Sequence, residues 1–205
     1  MSAFLGPIHF WVYSKIQLQQ GIVEEIIELG KDLAPGLREE LDTRYDVSEM
    51  RPLAEVIDEG NIHGWLQHRV SQSEYKLAYS VTTLAQKDPD ILKKMEAIYQ
   101  EKGKEKSVSL NIESPAEVYK VITDSLLDGM PCDHANTVMI ENDEIVQWKR
   151  NSCVHKNYWE EVGGDISIYY SFRDAFIRGL LTGTTLTYQK VDEVTNRITR
   201  SDDNE

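Results

Sequence analysis

The sequence predicts an α+β protein, an N-terminal helical half packed on a small C-terminal antiparallel sheet. Three observations predict it. Apolar residues recur at three- and four-residue spacing through the first part of the chain. At Gly129-Met130-Pro131 the character changes, and β-rich runs then flank the turn-like Glu141-Asn142-Asp143-Glu144. The chain has 205 residues, 40% hydrophobic and 28% charged, which suits one soluble core. A single domain is therefore expected over 1–200, mainly helical in 1–128, with a hairpin, helix and strand part in 129–200. The acidic stretch 201–205 reads as a disordered tail.

Taken in order, Gly6-Pro7 opens a helix with proline in its first turn. Its stripe is Ile8, Val12, Ile16, Val23, Ile26 and Ile27, and it ends near Gly30. Gly21 weakens it by about 1 kcal/mol relative to alanine. Residues 33–51 are punctuated by Pro35-Gly36 and predict short helical turns. Asn61 caps a long helix to about residue 86, with the stripe Ile62, Leu66, Val70, Leu77, Val81 and Leu84. Asp88-Pro89 restarts a helix to about residue 102, and 103–109 reads as a charged loop. Ser114-Pro115-Ala116-Glu117 is a capping box opening a helix to about residue 127.

Strands are expected at 136–140 and 145–150, joined at Asn142-Asp143. Asp165 caps a helix with the stripe Tyr169, Phe172, Phe176 and Leu180, although 166–170 could instead open as a strand. Residues 184–191 and 194–199 predict two further strands that pair.

The net charge of −13 argues against sequence-independent nucleic-acid binding and against an anionic membrane surface. No apolar run approaches the roughly 20 residues that span a bilayer, and no signal peptide is visible. The expected compartment is the reducing cytoplasm, where thiols stay free unless ligated or catalytic. Walker-type glycine loops, dinucleotide glycine fingerprints, nucleophile elbows and H-E-x-x-H are all absent from the sequence.

The sharpest chemical signal is the pair of cysteines, each followed two residues later by histidine: Cys132 with His134 and Cys153 with His155. A turn at Asn142-Asp143, carried along the ladder, sets Cys132 opposite Cys153 and puts both histidines on the same face. Two thiolates and two imidazoles suit zinc first, with iron or copper as alternatives. A closed site of this kind is structural; one free histidine leaves an open position for water near Asp133 or Glu160. Two other readings compete, simple packing and a thiol enzyme using Cys132 or Cys153.

In the helical half, His9 among aromatics and His63 are candidates for binding a small molecule or a tetrapyrrole such as haem, which would make the chain a sensor module. Glu74, between Val70 and Leu77, supplies a carboxylate close to the apolar stripe if that helix is enclosed. Arg173-Asp174 and Arg178 lie on the last predicted helix; Asp174 and Arg178 have the spacing of an intrahelical ion pair, with an anion-binding arginine as the alternative.

The stretches Phe4-Leu5-Gly6-Pro7-Ile8-His9-Phe10-Trp11, Gly129-Met130-Pro131-Cys132-Asp133-His134 and Cys153-Val154-His155 resemble a family of anaerobic-bacterial proteins to which no activity is assigned. The likeness covers most of the chain. It transfers no functional residues, and it implies a reducing cytoplasm.

Overall fold

The computed structural model describes residues 4–110 and 112–201, so most of the tail predicted at 201–205 lies outside the described residues. Helix α1 spans Pro7–Leu29, and at its start the His9 Nδ1 accepts a 2.8 Å hydrogen bond from the Gly6 amide. Short helices α2 (Leu37–Tyr45) and α3 (Leu53–Val56) fill the punctuated stretch. Helix α4 spans Ile62–Lys87, and the Asn61 side chain accepts from the Gly64 amide at 3.2 Å, as the cap predicts.

Helix α5 spans Ile91–Ser109, which corrects the expected charged loop at 103–109. Gly103 is not a helix stop there. It lies where α5 crosses helix α8 (Ile166–Leu180), and a Cβ on it would stand 2.1 Å from the Phe176 carbonyl oxygen. On the facing side, a Cβ on Gly179 would stand 2.0 Å from the carbonyl oxygen of Gln100. Two glycines let the backbones touch, and the Tyr99 and Phe172 rings stack beside them at 5.0 Å.

Helix α6 (Pro115–Ser125) carries the predicted capping box, and α8 begins at Asp165, whose carboxylate accepts from the Ser167 amide at 2.8 Å. A helix that the sequence reading missed, α7 (Lys156–Glu161), precedes α8. The expected Asp174–Arg178 pair does not form: Asp174 takes the Tyr188 hydroxyl at 2.8 Å and the Lys190 ammonium at 2.5 Å, while Arg178 is exposed.

Strands β1 (Asn136–Glu141), β2 (Ile145–Arg150), β3 (Leu186–Lys190) and β4 (Thr195–Arg200) form one antiparallel sheet in the order β1-β2-β4-β3. Val146, Trp148 and Ile198 are its buried face, joined in one apolar core with Val118 and Ile122 of α6. A second, smaller core gathers Val12 and Ile16 of α1 with Leu66 and Val70 of α4, next to Leu127 and Met130.

The hairpin register differs from the predicted one. Asn142 Oδ1 accepts from the amides of Glu144 and Ile145, both at 3.0 Å, so the turn is Asp143-Glu144. A bulge between Val138 and Ile140 shifts the pairing again, and Asn136 faces Arg150. One residue of offset takes Cys132 off Cys153 and moves alternate side chains to the other face.

Candidate functional site

Glu74 lies on the buried stripe of α4, only 2% exposed, and a carboxylate in that position requires partners. It has two. His155, just ahead of α7, places Nδ1 3.0 Å from Glu74 Oε2, and Gln19 of α1 donates to Oε1 at 3.3 Å. The other ring nitrogen of His155 stands 3.7 Å from Asp128 Oδ1. Asp128, in the turn after α6, accepts two hydrogen bonds at 2.9 and 2.8 Å from the Arg173 guanidinium of α8. The His155 ring packs on Tyr169, centroids 4.0 Å apart. Gln19, Glu74, His155, Asp128 and Arg173 thus form one chain of contacts through the interior.

Burial alone would lower the pKa of His155, but the Glu74 and Asp128 carboxylates reverse this and raise it to about 9. It is an imidazolium at neutral pH, Nδ1–H donating to Glu74 and the other N–H directed to the Asp128 charge, and so is not a free base. Burial opposes the charge on Asp128, yet Arg173 and His155 hold its carboxyl down at about 2. The four ionised groups balance, two against two.

Lys15 breaks that balance. It is 4% exposed on the inner face of α1, and its ammonium sits 3.3 Å from the centre of the Trp11 ring. Among the described residues no carboxylate lies within 4 Å of it. Burial pushes its pKa down to about 8, partly countered by Asp128 and Asp124, with Arg173 adding to the fall. Trp11 is fixed in turn, donating its indole N–H to Asp124 at 2.8 Å. Lys15, Trp11, Tyr119, Asp128, Met130 and Asn136 line a cleft of about 190 Å³ between α1, α6 and the segment leading into β1. The buried ionic chain therefore reaches the surface at Asp128, and Lys15, with no carboxylate within 4 Å among the described residues, borders the same opening.

The four predicted metal ligands occupy different environments. Cys132 is exposed in a single 3-10 turn (Pro131–Asp133), and His134 is exposed with φ 46°. Cys153 is half-buried and accepts the Tyr170 hydroxyl at 3.0 Å, while His155 is the buried imidazolium. Among the described residues no three His, Cys, Asp or Glu side chains form a group that could hold a metal ion, so the four-ligand zinc or iron site lacks geometric support. His9 is spent on the start of its own helix, and His63 is exposed on α4; neither lines the cleft.

Of the residues gathered here, sequence reasoning singled out Glu74 and His155, the latter for another role. Lys15 and Asp128 were missed, and Arg173 was noted on the last helix without its partner Asp128. The signal for Lys15 and Arg173 was a polar residue inside an apolar stripe, Lys15 beside Ile16 and Arg173 between Phe172 and Phe176; Asp128, in a turn, carries no such signal.

Fold and site together define an α+β protein with a buried ion network opening into a small cleft. No helix among the described residues is long and apolar enough to cross a membrane. No family model, curated protein or solved structure matches the chain.

Proposed function

We propose that this is a small-molecule-binding protein whose cleft takes a small organic anion, its carboxylate paired with the Lys15 ammonium. The observation that carries the reading is a nearly fully buried ammonium with no carboxylate within 4 Å among the described residues, bordering an open cleft. With Lys15 protonated, the cluster of Lys15, His155, Arg173, Glu74 and Asp128 holds three cations and two anions, and one monoanion completes it. The aromatic faces of Trp11 and Tyr119 and the apolar Met130 favour an organic ligand over an inorganic one. With both cysteines free, we place the protein in a reducing compartment such as the cytoplasm.

The test is a thermal-shift and calorimetric screen of small monocarboxylates, benzoate and propionate first, on wild type and Lys15→Met. A ligand at 100 times its Kd adds about 2.7 kcal/mol and raises Tm by roughly 5–10 °C in a chain of this size. Pairing drives Lys15 to full protonation, so binding near pH 8 takes up protons, seen as a heat that varies with buffer ionisation enthalpy. Lys15→Met abolishes the response and also stabilises the unliganded protein by on the order of 2 kcal/mol, because a charge held below its ordinary pKa is removed. A carboxylate response unchanged in Lys15→Met defeats the reading.

A further inference from the structure

We infer that Lys15 is also an amine nucleophile, forming an imine with small aldehydes or ketones that enter the cleft. The inference rests on the proposed reading for the cleft as a ligand site, and it adds a covalent chemistry to it.

The comparison with Lys76 carries the argument. Both lysines are nearly fully buried, 4% and 3% exposed. Lys76 places its ammonium 2.6 Å from Asp42 and 3.1 Å from the Ser48 hydroxyl, so losing a proton there breaks an ion pair. Among the described residues Lys15 has no such pair to break. Its nitrogen rests on an indole face, borders open volume, and has only the more distant Asp128 and Asp124 as neighbouring anions. A desolvated, unpaired amine beside space for a ligand is the setting in which lysine adds to carbonyls. The lowered pKa agrees: at about 8, roughly one molecule in ten carries the neutral amine at pH 7.

The step balances without a redox partner. The Nζ lone pair attacks the carbonyl carbon and a C–N bond forms. A proton passes from nitrogen to the former carbonyl oxygen through water, giving a carbinolamine. A second proton, taken from solvent, then reaches that hydroxyl; the C–O bond breaks, water leaves, and a protonated imine remains. That cation lies on the Trp11 face with Asp128 as its nearby fixed anion, held in place by Arg173.

The experiment incubates the full chain with propanal, benzaldehyde or pyruvate and sodium cyanoborohydride, followed by intact mass and peptide mapping. One adduct is expected, on Lys15, at least tenfold faster than on any other lysine, Lys76 included. Its rate should climb with pH and level off above about 8, and benzoate should suppress it. Lys15→Arg keeps the charge and should lose the adduct. Wild-type mapping suffices if that variant fails to fold, since Lys76 is the internal control. Labelling spread over exposed lysines, with Lys15 no faster, overturns the inference. Benzoate stabilisation without trapping sinks the imine and leaves the anion site standing. Trapping on Lys15 without any carboxylate response does the reverse.

Discussion

Glu74→Ala is expected to destabilise the protein by on the order of 3–5 kcal/mol, close to the whole stability of many domains. The substitution leaves the His155 imidazolium buried with its Nδ1–H unpaired and takes the acceptor from Gln19. Glu74→Gln keeps the shape and loses the charge, which isolates the electrostatic part. Its signature is in pH. His155 has a folded pKa of about 9 against an ordinary 6.5, so its stabilisation is complete below about 6.5 and is lost as pH climbs through 9. Urea midpoints of wild type should therefore fall between pH 6.5 and about 8, above which Lys15, held below its ordinary range, offsets the loss; those of Glu74→Gln should stay flatter over pH 6.5–8. Parallel profiles would mean that the imidazolium is not held by Glu74.

Gly179→Ala is expected to cost about 3 kcal/mol or more, although a single methyl group is added. Its Cβ would stand 2.0 Å from the Gln100 carbonyl oxygen, a backbone atom that no rotamer change can move. Helices α5 and α8 must then separate, which opens the Tyr99–Phe172 stack. Gly103→Ala should behave alike, at 2.1 Å from the Phe176 carbonyl oxygen. Gly21→Ala is the counter-case: nothing lies within 4 Å of the added Cβ, so it should stabilise α1 by about 0.5–1 kcal/mol. Thermal melts of the three variants check the ordering, and a Gly179→Ala melt within 1 °C of wild type would refute the close crossing.

Local physics made much of the fold legible. Asn61, Ser114 and Asp165 announced three helices through short side chains that can take up free amides, and each does so. Gly103 misled because a glycine in a helix looks alike from sequence whether it ends the helix or admits a neighbouring backbone. The hairpin was visible, but its register was not: the Asn142 side chain draws the turn one residue on, and a bulge follows. On that register the metal hypothesis depended.

The site was less legible because it is built across distance. Glu74 and His155 are 81 residues apart, and Asp128 and Arg173 are 45 apart. Periodicity places Glu74 on the inner face of α4, but nothing local says which cation meets it. Lys15 was harder still, since a lysine within an apolar helix usually extends its tip to water. Only the packing of α1 against α4 and the turn after α6 shows that this one does not.

The strand order has a consequence for assembly. Each hairpin forms from neighbouring segments, but β2 meets β4 across a long detour; Arg197 bonds Gln147 from 50 residues away. Helices α7 and α8 lie within that detour, so joining the two ribbons closes a long loop that also carries His155 and Arg173. A two-stranded ribbon alone is marginal in water. The β1 hairpin, which borders the cleft through Asn136, therefore depends on the β2–β4 seam for its place in the sheet, and the integrity of the opening is tied to a closure 50 residues long.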